Sequence, residues 1–84
     1  MTHRKLYKIG EVMRNSGLSR QTLHNYTMMG LIQEAERTES GHRLYGEDVF
    51  ERLEKIELLK RHRTLREVRE LIHREGASAS RGGR

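Results

Sequence analysis

An 84-residue chain that is 33% hydrophobic and 35% charged forms one domain with a small core, so its stability has to come from efficient helix packing. The absence of cysteine excludes a disulfide framework and any thiolate zinc site. No apolar run approaches the ~20 residues of a membrane helix and no succession resembles a signal peptide, so the expected location is the cytoplasm. The formal charge of +5 sits unevenly: residues 1–45 hold seven bases against four acids, residues 46–75 hold eight of each, and 76–84 hold two bases and no acid, a distribution that fits a polyanion met by the N-terminal half.

Residues 1–6 read as a polar lead-in. Ile9, Val12 and Met13, spaced i, i+3, i+4, predict a helix from Ile9 to Asn15. Gly17 suits the left-handed position that ends it, Leu18 seats the turn, and Ser19 accepts the orphan N–H groups that open a second helix. That helix runs from Arg20 to about Met29 and is stopped by Gly30. It turns Thr22, Leu23 and Tyr26 inward and leaves Arg20, Gln21, His24 and Asn25 on or near its outer face.

Leu31-Ile32 is too short for more than a strand start. Glu36-Arg37, Thr38-Glu39-Ser40-Gly41 and His42-Arg43-Leu44-Tyr45 then predict strand, turn and strand. Arg43 and Tyr45 share one face of that hairpin, His42 and Leu44 the other; one face packs and the other is available for contact. A third helix spans about Glu47 to Lys60, with Val49, Phe50, Leu53, Ile56 and Leu59 as its apolar stripe and Glu47, Asp48 and Glu51 in its first turn. Thr64-Leu65-Arg66-Glu67 matches a reciprocal capping box and opens a fourth, carrying Val68, Leu71 and Ile72 and ending at Gly76. The predicted organisation is a folded unit over residues 1–75 and a disordered basic tail over 76–84.

The expected fold is mostly α: a winged helix-turn-helix of four helices with a small two-stranded wing. Two short helices at a fixed turn, with a basic hairpin behind them, present a helix edge to the DNA major groove and a wing to the adjacent backbone.

Particular residues add to this. Tyr7-Lys8-Ile9-Gly10-Glu11-Val12, Gly17-Leu18-Ser19, Thr22-Leu23-His24-Asn25-Tyr26, Gly30-Leu31-Ile32, Arg37, Gly41-His42-Arg43-Leu44-Tyr45 and Asp48-Val49 resemble, in order and interval, the winged DNA-binding domain of the MerR family of bacterial transcription regulators, over about residues 6 to 75. The resemblance implies that the second helix enters the major groove and that wing side chains grip phosphates. It implies helix-end contacts from Ser19, base reading by Arg20 and Gln21 beside Thr22, and contacts from the triplet His24, Asn25 and Tyr26. From the wing it implies Arg37, His42, Arg43 and Tyr45. His24 and Asn25 stand where arginine and tyrosine are commoner, so a site preference is not carried over. Family members that sense metals, drugs or oxidants continue into a long dimerisation helix and an effector domain. This chain stops, and is expected either to work without a sensor or to be a fragment, with no cofactor and no small-molecule effector of its own.

Other readings compete residue by residue. Arg43 has Glu36 and Glu39 as ion-pair candidates across the hairpin, each worth about 0–1 kcal/mol when exposed. The five histidines are scattered without an i, i+4 pair, which argues against a metal site. No activated nucleophile, plausible carboxylate pair or glycine-rich phosphate loop points to an enzyme. One alternative is an excisionase-like factor that bends DNA. Another is an interaction module that docks on RNA polymerase through the acidic stretch Glu47 to Glu57. The expected partner is double-stranded DNA. Because one small module buries only about 600–1,000 Å² on it, a monomer that self-associates along the duplex is expected.

Overall fold

The computed structural model describes residues 5–82, with side chains described as far as Glu75; Met1 to Arg4 of the expected lead-in, and Gly83 and Arg84 of the expected tail, lie outside the described residues. The chain runs β1 (Leu6–Lys8), α1 (Ile9–Ser16), α2 (Arg20–Met28), β2 (Glu36–Arg37), β3 (Arg43–Gly46), α3 (Asp48–Leu59) and α4 (Leu65–Gly82). Four helices and a small antiparallel hairpin appear as expected.

The lead-in is where the first correction falls. Leu6-Tyr7-Lys8 forms a strand that pairs antiparallel with β3, Leu6 opposite Gly46 and Lys8 opposite Leu44, so the sheet has three strands in the order β1-β3-β2. Three residues carry too little alternation to announce a strand, and it forms because β3 offers a second edge. Tyr7 then meets Phe50 of α3 edge-on, with ring centroids 4.8 Å apart.

Helix α1 starts where the Lys8 N–H donates to Glu11 Oε1 at 2.9 Å, and it ends on Gly17 at φ +77°, whose N–H returns to the Met13 carbonyl at 2.8 Å. Ser19 opens α2 as expected, its Oγ accepting the Thr22 N–H at 3.1 Å. The other end of α2 is a full Schellman closure. Gly30 at φ +79° sends its N–H to the Thr27 carbonyl at 3.0 Å, and Leu31 sends its own to the Tyr26 carbonyl at 2.8 Å. Leu31 and Ile32 follow as buried loop rather than strand, because the turn feeds them directly into the core.

That core gathers one to three residues from each helix, one from β3 and two from the loop after α2: Val12, Leu23, Tyr26, Leu31, Ile32, Tyr45, Val49, Leu53, Ile56, Val68 and Ile72. The predicted stripe of α3 supplies three of them, with Phe50 and Leu59 packed alongside. Burying a leucine or isoleucine of this kind contributes about 1.5–3 kcal/mol. The capping box of α4 is formed in both directions, Glu67 N–H to Thr64 Oγ1 at 3.1 Å and Thr64 N–H to Glu67 Oε1 at 2.9 Å.

Helix α4 passes through Gly76, where the sequence reading ends it, and continues to Gly82. A glycine inside a helix costs only about 1 kcal/mol relative to alanine, and the alanines and serines beyond it do not force a stop.

Candidate nucleic-acid interface

The turn between α1 and α2 and the hairpin β2–β3 place two exposed edges beside one open groove. Ile9, Arg20, Gln21, His24, Gly41, His42, Arg43 and Tyr45 line it, around a volume of about 670 Å³. Six of the side chains singled out in the sequence are brought together there, from positions 25 residues apart. Arg20, Gln21, His24 and Asn25 are exposed along α2, as predicted. Gln21 Nε2 donates to Asn25 Oδ1 at 3.0 Å, which aligns those two amides along the helix surface. Arg20 enters no ion pair among the described residues. Helix α2 itself contains no acidic residue, whereas the first turn of α3 holds Asp48 and Glu51.

Ser19 and Thr22 are committed to the helix start. Besides accepting the Thr22 N–H, the Ser19 hydroxyl donates to Thr22 Oγ1 at 3.0 Å. Both therefore set the end of α2 and leave the exposed edge to Arg20 and Gln21.

The two tyrosines sit differently from the contact roles that the resemblance implies. Tyr26 and Tyr45 are each 1% exposed. The Tyr26 hydroxyl donates to Glu57 Oε2 at 2.9 Å and accepts from Lys60 Nζ at 2.9 Å, tying α2 to α3. Burial, ahead of these partners, pushes the phenol above its ordinary pKa, and the hydrogen bond to Tyr26 pushes the Lys60 ammonium up in turn. Thr27 Oγ1 donates to the Leu23 carbonyl and so accepts from the Tyr45 hydroxyl at 2.9 Å. Tyr45 thus fixes the wing against α2 from the floor of the groove. Tyr26 is inward because it follows Leu23 on the apolar face of α2, whereas Tyr45, which shares its strand face with Arg43, is inward because the core and Thr27 meet it there; each hydroxyl finds a partner on the way out.

The hairpin closes through Thr38, whose N–H donates to the His42 carbonyl at 2.9 Å and whose Oγ1 accepts the His42 N–H at 3.0 Å, around Gly41 at φ +88°. His42 is exposed, with Nδ1 3.2 Å from Ser40 Oγ. Of the wing arginines, Arg37 is exposed and Arg43 half-buried, and both are held by Glu34 rather than by Glu36 or Glu39. The hairpin register explains the correction: Glu36 lies opposite Leu44, and Glu39 belongs to the turn. Glu34 is the residue that sequence reasoning missed, because it precedes the strand and its nine-residue separation from Arg43 follows no local rule.

A second set of basic groups holds the far end of α2. Arg69 Nε donates to the Met29 carbonyl at 2.9 Å, His73 Nε2 to the Gly30 carbonyl at 3.1 Å and Arg52 Nη1 to the Leu31 carbonyl at 3.1 Å. Side chains from α3 and α4 thereby satisfy three successive carbonyls at the negative end of the helix dipole. Helix α2 is fixed at both ends and along its buried side, while its basic edge faces the groove. No group of three or more His, Asp or Glu able to hold a metal ion occurs among the described residues.

Residues 8–45 match the family model described as MerR family regulatory protein. The chain is 36% identical over 67 residues to the mercuric resistance operon regulatory protein of Bacillus cereus, covering 79% of this chain and 51% of that one. It is 47% identical over 49 residues to the HTH-type transcriptional regulator YfmP of Bacillus subtilis, covering 58% of this chain and 35% of the relative. Against the nodulation protein NolA of Bradyrhizobium diazoefficiens it is 39% identical over 57 residues, 68% of this chain and 24% of the relative. A solved MerR-family transcriptional regulator from Bacillus cereus superposes with a TM-score of 0.72 at 28% identity, over 81% of this chain and 52% of that chain. The chain thus spans about a quarter to a half of the length of these relatives.

Proposed function

From the premise that the chain carries the winged helix-turn-helix DNA-binding domain of the MerR family, we propose that it binds double-stranded DNA in a sequence-specific manner and regulates transcription. The observation that carries this is the open groove in which an acid-free helix edge and the wing face the same way. Arg20 and Gln21 are the base readers, a role suited to a guanidinium or amide that reaches a base edge with two hydrogen bonds. His24 and Asn25 lie further along the same edge. Arg37, His42 and Arg43 take the flanking phosphates, which fix register without reading sequence. Tyr26, Tyr45, Ser19 and Thr22 act from behind by holding α2 and the wing at their mutual angle. The site of action is then the bacterial nucleoid, and the chemistry is binding rather than catalysis.

Neutralising about three to five phosphates predicts that log Kd changes with log salt at a slope of magnitude roughly 3 to 4.5. Selection of bound sequences from a random pool reports the preferred site, and fluorescence anisotropy on that labelled selected duplex over a salt series measures the slope. A flat salt dependence would refute the reading, as would a pool that emerges unenriched.

A further inference from the structure

Arg37 and Arg43 are register partners, directly opposite one another on β2 and β3. Like charges in that position repel and weaken a hairpin. Glu34 joins them: its Oε2 accepts from Arg37 Nε at 2.5 Å, and its Oε1 accepts from Arg37 Nη2 at 3.2 Å and from Arg43 Nε at 2.9 Å. The hydrogen bonds from Arg37, followed by its charge and by Arg43, hold the Glu34 carboxyl below the ordinary glutamate range. One carboxylate shared by two guanidinium groups occupies the position that a phosphate takes when two arginines grip it, since both present paired anionic oxygens to the same N–H edges. The wing, expected to be basic, also carries no surplus of positive charge. From Glu34 to Arg43 it carries three acids, Glu34, Glu36 and Glu39, against two arginines.

We propose that Arg37 and Arg43 form a phosphate clamp that the protein closes on its own Glu34, so that Glu34 competes with the DNA backbone for the wing. A duplex reaches the clamp either by displacing the carboxylate or by setting a phosphate beside it, and both cost binding free energy. A sequence that also satisfies Arg20 and Gln21 on α2 supplies that free energy; a random sequence does not. Glu34 therefore raises discrimination without touching a base. It is a specificity-determining residue whose effect passes through Arg37 and Arg43, and the inference rests on the DNA-binding reading above.

The test compares the wild-type chain with Glu34→Gln, which keeps the size and an acceptor oxygen while removing the charge. Affinities are measured on a random duplex and on the best selected duplex over a salt series. The expected result is that Glu34→Gln binds the random duplex several-fold more tightly, with a salt slope steeper by about 0.9 for each phosphate newly gripped. The ratio of selected to random affinity falls. Adding Arg37→Gln to that variant reverses the steepening. If Glu34→Gln fails to fold, Glu34→Ala is read in the same way, and inorganic phosphate should raise the melting temperature of either folded variant more than that of the wild type.

Wild-type binding with variants that bind no better, or with a shallower slope, would overturn the competitor role and make Glu34 a residue that merely positions the arginines. Failure of wild type and variants alike to bind any duplex at low salt would remove the DNA-binding reading itself, and this inference with it.

Discussion

The hydroxyl of Tyr26 lies 2.9 Å from Glu57 Oε2, so the one aromatic side chain of α2 is bonded to α3 and turned away from the open edge of its own helix. Lys60 Nζ donates to the same hydroxyl and lies 5.7 Å from the ring centroid. Phe in place of Tyr26 removes both hydrogen bonds and leaves Glu57 and Lys60, each more than a third exposed, to their own ion pair at 3.4 Å. The expected cost is about 0.5–1.5 kcal/mol of folding stability. DNA affinity and its salt slope should stay at wild-type values. Urea unfolding and anisotropy on the same preparation check both halves, and a loss of affinity without a loss of stability would put Tyr26 back at the DNA.

The same cluster sets the alkaline limit. Tyr26 and Lys60 both have folded pKa values raised above their ordinary ones, so each contributes stability that is fully present below the unfolded values and lost as pH rises through the folded ones. Stability should therefore decline from about pH 10 upward. Tyr26→Phe should flatten that decline, which denaturant midpoints at a series of alkaline pH values will show. An alkaline limb of unchanged steepness would assign the loss to other groups.

Arg20 is exposed at the first position of α2, beside the groove and without a carboxylate partner among the described residues. Arg20→Ala should cost about 1–3 kcal/mol of binding to the selected site and relax the preference at a single base pair. Equal weakening on every sequence would show that Arg20 contacts a phosphate instead.

Much of this architecture was legible because local rules and tertiary packing agree. Gly17, Ser19, Gly30 and the Thr64 to Glu67 box each mark a helix end with a specific backbone requirement, and all four stand where that chemistry puts them. The outer edge of α2 followed from 3.6-residue periodicity alone. What escaped depends on neighbours distant in sequence. β1 exists through its pairing with β3, Tyr45 turns inward to Thr27, and Glu34 reaches two arginines from outside the strand. The three basic groups on the carbonyls of Met29, Gly30 and Leu31 are separated from them by 21 to 43 residues, and no pattern within one element announces them.

Glu34 makes the wing sensitive to acid. Its folded pKa is depressed, so its contribution is present above the unfolded value of about 4.3 and is lost as pH falls through the folded one. The wing should loosen first, since α2 and α3 are held by apolar packing. Amide exchange of Ala35 and Thr38, which bond to the Leu44 and His42 carbonyls, should lose protection in acid before the amides of α3 do. In Glu34→Gln that early step should be absent; simultaneous loss across the chain in both proteins would show that the ion pairs do not hold the wing.

The two glycines that close α1 and α2 should differ in how much they tolerate a side chain. Both have positive φ, so alanine at either costs about 1–2 kcal/mol of backbone strain. At Gly17 nothing lies within 4 Å of the added Cβ, and strain is the whole cost. At Gly30 the Cβ would stand 2.9 Å from His73 Nε2, the end of a flexible side chain, and His73 has to swing away from the Gly30 carbonyl it now holds. Losing that hydrogen bond adds about 0.5–1.5 kcal/mol. Gly30→Ala should therefore be the more destabilising of the two. His73→Ala, which removes both the clash and the bond, should make the pair with Gly30→Ala less than additive. Urea unfolding of the four variants measures the cycle. Full additivity would mean that the imidazole and the α2 terminus are not coupled, leaving Arg52 and Arg69 as the groups that hold that end of α2 against the rest of the fold.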